Sequence, residues 1–332
     1  MAEDFANAKQ IRWGIIGCGN VTEVKSGPAY QQVEGFLLAS VMRRDPQKAQ
    51  DYARRHGVPS FSTKAEEIIN NHAIDAVYIA TPPDSHQYYA LKVAEAGKPC
   101  CIEKPLAPNY QASLAIYESF RDQNIPLFVA YYRRSLPRFN QIKSWLDNDE
   151  IGELRHIRWH LSKPASQIDL SRKYNWRTDP DIASGGYFDD LASHGLDLFT
   201  YLLGDVKEAR GISINQQGLY SSLDAIAASW LHENGMTGSG SWNFGCSVRE
   251  DTVEIFGSKG KIEFSVFDEK SLVLKSKQIE NTLFVQNPDN IQLYHVQNMR
   301  DHLLGKKMHP SNGLSATHTS WIMDKILGKI QD

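Results

Sequence analysis

The stretch Ile11-Arg12-Trp13-Gly14-Ile15-Ile16-Gly17-Cys18-Gly19-Asn20-Val21-Thr22 reads as a short apolar strand running straight into a G-x-G turn and a helix. In the dinucleotide-binding arrangement the first glycine makes the tight turn and the second lets the backbone approach a pyrophosphate. The start of the helix then supplies amide donors. Gly17, Gly19, Asn20 and Val21 are therefore candidate cofactor-binding residues. Thr22 stands where Gly or Ala is usual, and on these residues alone a strand-to-helix turn without a ligand is an equal reading.

Working outward, the alternation repeats. Phe36–Met42 is a second buried strand, and Pro46–His56 a helix ended by Gly57. Ile74–Ala80 is a strand ending in Thr81-Pro82-Pro83, and a helix runs from about Asp84 to Ala96. Pro99–Ile102 leads into Glu103-Lys104-Pro105, a helix covers roughly Asn109–Asp122, and Pro126–Ala130 is a further strand. Strand-helix units joined by short turns predict a parallel, doubly wound sheet, with ligands beyond the carboxyl ends of its strands. Thr81, Pro82, His86, Glu103, Lys104 and Tyr131 all lie at or just past such ends.

From about Arg133 the pattern changes. A helix over Pro137–Asp149 precedes an alternating strand, Leu154–Leu161, and residues 163–184 show no periodicity. A long irregular segment of this kind is often a functional covering loop, and here it holds Tyr174, Trp176 and Arg177. Seven strand-like runs lie between 207 and 285, and helices near 290–304 and 314–328 close the chain. The expected fold is α/β: a Rossmann domain over 9–132, then an α+β domain over 133–332 with a large, mostly antiparallel open sheet. Trp230, Trp242 and Phe244 are expected on the open face of that sheet, as a subunit interface.

Between these parts stands Gly185-Gly186-Tyr187-Phe188-Asp189-Asp190-Leu191-Ala192-Ser193-His194-Gly195-Leu196-Asp197, read as a helix continuing to Leu203 and stopped by Gly204. At about 100° per residue, Asp190, His194, Asp197 and Tyr201 share one face within roughly 60°, and apolar residues fill most of the rest. A helix apolar nearly all round is buried, so this stripe is expected to face a cavity. The alternative is a solvated face or a set of satisfied buried hydrogen bonds. The two glycines are read as room for a ligand to approach the backbone.

Composition narrows the class. With 332 residues, 41% hydrophobic and 23% charged, the chain has ordinary globular composition and length for two domains. A net charge of −3 gives no electrostatic case for nucleic acid or an anionic membrane. The start Met1-Ala2-Glu3-Asp4 lacks the basic and apolar regions of a secretory signal, and no apolar run approaches the ~20 residues that span a bilayer. Cys18, Cys100, Cys101 and Cys246 show no zinc spacing, so no metal site is expected. The expectation is a soluble cytoplasmic protein.

Taken together, the G-C-G-N-V-T turn, Ala80-Thr81-Pro82, Glu103-Lys104-Pro105 and Gly185-Gly186…Asp190…His194…Asp197 resemble the Gfo/Idh/MocA oxidoreductase family over essentially the whole chain. The resemblance implies NAD(P)-dependent oxidation or reduction of a sugar, polyol or related hydroxy/keto compound, with Lys104, Asp190 and His194 as catalytic positions. It also implies oligomerisation, as a homodimer or homotetramer, through the open sheet. Tyr131, Tyr174, Trp176 and Arg177, with Asp190 and His194, are the candidate substrate contacts. Two other functions stay open: a glycosidase using transiently reduced NAD, and a non-catalytic dinucleotide-binding sensor.

The cofactor turns on Met42-Arg43-Arg44-Asp45-Pro46. NAD-preferring Rossmann domains place an acidic residue at the end of the second strand, against the ribose 2′-hydroxyl. Here Arg43 and Arg44 stand there, and guanidinium groups suit a 2′-phosphate. Asp45 before Pro46 is read as a helix cap. NADP(H) is therefore the expected cofactor, with NAD(H) the alternative if Asp45 reaches the ribose instead.

Overall fold

The computed structural model describes Phe5, residues 10–277 and residues 280–330. The acidic start, 1–4, lies outside these. The chain divides into two compact units, residues 1–136 with 288–317, and residues 137–287 with 318–332.

The first unit holds six parallel strands: β1 (Ile11–Ile16), β2 (Phe36–Met42), β3 (Ser60–Ser62), β4 (Ala76–Ile79), β5 (Cys100–Ile102) and β6 (Leu127–Val129), in the order β3-β2-β1-β4-β5-β6. This is the doubly wound order in which the topology reverses between β1 and β4, opening a crevice at the strands' carboxyl ends. Strands buried on both faces carry near-continuous apolar runs, as Ile15, Ile16, Val77 and Ile79 do, all fully buried. The short β3 and the helices Gly27–Gln32 and Ala65–Ile69 were not separable in the sequence, being too brief to show a period.

The expected single boundary after residue 132 is not the whole division, because residues 288–317 return to the first unit. Both polar and apolar contacts hold them there. Gln292 Nε2 donates to Glu103 Oε1 at 3.2 Å, and Ser311 Oγ donates to the Val129 carbonyl at 2.8 Å. The helix Leu293–Leu303 adds Val296, Met299 and Leu303 to the core beside β1 and β2.

The second unit is an eight-stranded sheet: β7 (Leu154–Ser162), β8 (Val206–Ile214), β9 (Ala225–His232), β10 (Thr237–Asn243), β11 (Glu250–Gly257), β12 (Gly260–Phe264), β13 (Leu272–Ser276) and β14 (Glu280–Leu283). Its order is β14-β13-β12-β11-β7-β10-β9-β8, antiparallel except for the β7–β10 pair. Helices Pro137–Asp147 and Ser193–Leu203 cover one face, through Phe139 on Phe264 and Phe199 on Trp159 and Trp230.

That packing corrects the expected open face. Trp230, Trp242 and Phe244 are all buried, the first two beneath Phe199 and Phe188 and the third against Tyr187. The period of two allows either face, and the aromatic rings take the one with helices to pack on. The opposite face carries Ile212, Ile214, Ala225, Ala227, Ser229, Ser239 and Ser241 instead, as the strand register requires.

Candidate active site

In the first unit, a cavity of about 390 Å³ opens at the carboxyl ends of β1, β2 and β4. Gly17, Cys18 and Gly19 form one wall, Arg43, Arg44, Asp45 and Lys48 a second, and Ala80, Thr81 and Pro82 a third. Gly17 has φ +92°, and a Cβ there would sit 2.7 Å from Thr81 Cγ2, so only glycine closes this turn. At Gly19 an added Cβ meets nothing nearer than 3.8 Å; the chain's own packing does not demand a glycine. An open backbone beside a crevice fits a dinucleotide pyrophosphate.

Asp45 caps the helix Pro46–His56, its Oδ1 accepting from the Lys48 amide at 3.1 Å. The backbone bond from Lys48 outweighs desolvation and lowers its pKa. Lys48 Nζ also lies 3.7 Å from Asp45 Oδ2. The cavity therefore has three cations and one carboxylate on its second wall. Lys48 was not among the expected residues, although it lies in the first turn of the helix that Asp45 caps. One arm of Arg43 donates to the Cys18 carbonyl at 3.2 Å, which ties β2 to the glycine turn.

The remaining cofactor candidates take other places. Asn20 is exposed and Val21 half-buried at the start of a five-residue helix, and neither lines the cavity. His86 is fully buried beneath it. Its Nε2 lies 2.8 Å from the Thr81 carbonyl, and its Nδ1 lies 3.1 Å and 3.2 Å from the carbonyls of Pro105 and Leu106. It braces the Thr81-Pro82 turn against the chain after Lys104, and burial lowers its pKa. Glu103 is buried too, accepting from Tyr78 Oη at 2.5 Å, from Gln292, and from the Lys104 amide at 3.2 Å. Its carboxylate anchors the segment that presents Lys104. Tyr131 is buried in the apolar core of this unit.

In the second unit, the 185–203 stretch is not one straight α-helix. Phe188–Ala192 form a π-helical turn, and the α-helix runs over Ser193–Leu203. Such turns recur at functional sites and break the 100° register on which the shared face was expected. The stripe itself divides. Asp197 is fully buried, with Thr319 Oγ1 donating to it at 3.3 Å, so it is an internal hydrogen-bonding residue. Tyr201 Oη donates to Asn140 Oδ1 at 3.1 Å. Asp190 and His194 remain, at the amino end. Arg177 Nε donates to Asp190 Oδ2 at 2.7 Å while its guanidinium stacks on Trp176 at 4.4 Å. His194 is 6% exposed, its ring edge-on to Phe267.

The chain's own packing already requires these glycines, independently of any ligand. A Cβ at Gly185 would lie 2.4 Å from Asp189 Oδ1, and one at Gly186, where φ is +62°, 2.5 Å from the Leu223 carbonyl. At Gly195 it would enter the Trp159 ring at 2.4 Å. The helix carrying His194 is thus seated directly on an indole.

The irregular segment is held by Asp169, a residue not among the expected site positions. Asp169 accepts from Ser166, from Asn175 Nδ2 at 3.0 Å and from Tyr187 Oη at 2.6 Å. Burial opposes its ionisation, but these bonds win and its pKa is lowered. The Ser166-x-x-Asp169 spacing is a capping-box signature that could have revealed it. Tyr174 stands 73% exposed beside a shallow hollow of about 270 Å³ formed with Arg172, Asn175, Thr178 and Tyr220. Among the described residues no group of three or more His, Cys, Asp or Glu side chains is placed to hold a metal ion.

Against this geometry stand the comparisons with known proteins. Residues 11–131 match the profile described as the oxidoreductase family with NAD-binding Rossmann fold, and 139–263 that of the GFO/IDH/MocA C-terminal domain. Oxidoreductase P35 of Formosa agariphila is 37% identical over 96% of this chain and 99% of its own length. Levoglucosan dehydrogenase of Pseudarthrobacter phenanthrenivorans is 29% identical over 70% of this chain and 57% of its own. A solved levoglucosan dehydrogenase in complex with NADH superposes with a TM-score of 0.87 over 96% of both chains, at 22% identity, which shows the shared fold.

Proposed function

Because this chain belongs to the Gfo/Idh/MocA family of oxidoreductases, we propose that it moves a hydride between NADP(H) and a hydroxyl-bearing carbon of a sugar or polyol. The observation that carries the cofactor assignment is the wall of Arg43, Arg44 and Lys48, whose one carboxylate, Asp45, caps a helix. A 2′-phosphate would find charge-assisted donors there; the one carboxylate of that wall is engaged at the helix start, and the other carboxylate lining the cavity, Asp84, follows β4, away from the end of β2 where a ribose hydroxyl is selected. NAD(H) use is favoured by one observation, the bond of Arg43 to the Cys18 carbonyl. An arm held there does not reach a phosphate.

When bound, the nicotinamide supplies or accepts the hydride. The protein's part is the matching proton and the charge on oxygen. We assign proton exchange to the His194 imidazole, whose ordinary pKa lies near neutrality. Asp190, fixed by Arg177, steadies the imidazolium, and the Lys104 ammonium stabilises the developing alkoxide. The assignment rests on the family's motif positions, together with the Asp190–Arg177 pair and the buried anchor under Lys104. Self-association is placed on the outward face of the second sheet, where Ile212 and Ile214 are 75% and 49% exposed beside Ala225 and Ala227. A cytoplasmic location is supported by the four unpaired cysteines.

The test is cofactor binding. Arg43→Ala with Arg44→Ala should weaken NADPH binding by ~1.5–3 kcal/mol per charged hydrogen bond lost and change NADH binding little. Equal losses for both cofactors, or a parent protein that prefers NADH, would show that the arginines do not read a 2′-phosphate.

A further inference from the structure

Lys163 is the residue immediately after β7, and it sits in a setting unusual for a lysine. Its backbone N–H donates to the Asn243 carbonyl at 3.0 Å, which pins it beside the end of β10. The residue is half-buried, and Nζ lies 3.9 Å from the centre of the Tyr187 ring. The ring face attracts the charge but accepts none of the three N–H donors. Within the described residues Nζ has no carboxylate in ion-pair range and no hydrogen-bond acceptor.

The neighbouring carboxylates do not explain it. Asp169 is engaged by Ser166, Asn175 and Tyr187, and Asp190 is engaged by Arg177. Burial lowers the Lys163 pKa, opposed by Asp190 and Asp169, and the cations Arg249 and Arg177 lower it further. Arg249 is itself paired with Asp268 at 2.8 Å. A partly desolvated ammonium is costly unless a charge of opposite sign meets it. Tyr187, which carries the ammonium, immediately precedes the π-turn that carries Asp190.

We propose that Lys163 binds a carboxylate on the substrate, so that the site takes a sugar acid, a monosaccharide bearing one carboxylate, in preference to its neutral counterpart. This rests on the reading of Asp190 and His194 as the site of oxidation. A neutral hydroxyl would leave the ammonium without an ion-pair partner in direct contact, whereas a carboxylate both meets the charge and accepts its donors. The resulting selectivity is a difference between two ligands of nearly equal size, set by one charge.

The test compares glucuronate with glucose, and galacturonate with galactose, on the cofactor-loaded protein, by tryptophan fluorescence for binding and nicotinamide absorbance for turnover. The parent protein is expected to bind one of the acids at least tenfold more tightly than its neutral partner. In Lys163→Gln that ratio should fall at least tenfold, chiefly through KM where the acid is turned over, and Lys163→Arg should keep most of it. Equal binding of acid and neutral sugar by the parent, or an unchanged ratio in Lys163→Gln, overturns the proposal. Acid binding that depends on Lys163 without any nicotinamide turnover would support it while removing the oxidoreductase reading of the site. Turnover of neutral sugars alone would do the reverse.

Discussion

Arg43 and Asp45 stand two residues apart at the end of β2, and their tasks differ for a local reason. Asp45 has a helix amide to accept, while Arg43 and Arg44 lie on the cavity wall. The cap was legible in the order Asp-Pro, because proline fits the first helical position and aspartate the cap before it. The bond from Arg43 to the Cys18 carbonyl was not, since it depends on a turn 25 residues away. At the proposed catalytic positions, Lys104→Ala and His194→Ala are each expected to lower the rate ~10²-fold or more with cofactor binding largely kept. Near-normal turnover by either variant would remove that residue from the mechanism. A pH effect belongs to Arg12 and Asp75. Burial raises the Asp75 pKa, but three bonds from Arg12, at 2.6–2.9 Å, outweigh it and the net shift is downward. Its stabilisation is therefore complete above the ordinary carboxylate range and is lost as pH falls through the depressed value. Asp75→Asn should lower the Tm near neutrality and lose less on acidification than the parent. Parallel Tm-against-pH curves for the two proteins would contradict this.

The helix Ser193–Leu203 shows what a period can and cannot reveal. Its buried character and its end at Gly204 follow from the apolar residues around it. The π-turn before it leaves no period of its own, because a single inserted residue shifts the register without changing composition. Gly195 carried no local signal either; its cause is Trp159, 36 positions earlier on β7, against which a side chain at 195 has no room. Gly195→Ala would ordinarily gain ~1 kcal/mol of helix propensity. Here the Cβ contacts of 2.4, 2.5 and 3.0 Å with the indole should reverse the sign, at a net cost of ~1–3 kcal/mol from overpacking. Thermal unfolding should show a Tm several degrees lower, and an equal or higher Tm would mean that the helix yields without strain. The same limit explains Trp230 and Trp242. Alternation correctly put them on one face of the sheet, but only the position of Phe199 and Phe188 tells which face is covered.

At the scale of the molecule, the order of strands and helices was sufficient to expect one parallel and one mostly antiparallel sheet. The return of residues 288–317 to the first unit was hidden, because its contacts are single hydrogen bonds to Glu103 and Val129 and a few apolar side chains. If the outward face of the second sheet joins copies of the chain, Ile212→Lys with Ile214→Lys should convert a dimer or tetramer into monomer by light scattering at micromolar concentration. A parent protein that is already monomeric would remove this assignment. Hydride transfer with NADP(H) is tested most directly by absorbance of the reduced nicotinamide over a panel of sugars, sugar acids, inositols and keto-sugars with each cofactor. The expected result is a steady, substrate-dependent change with NADP(H), faster than with NAD(H) and lowered ~10²-fold or more by His194→Ala. No substrate-dependent change with either cofactor, from a protein shown to bind NADPH, would contradict it.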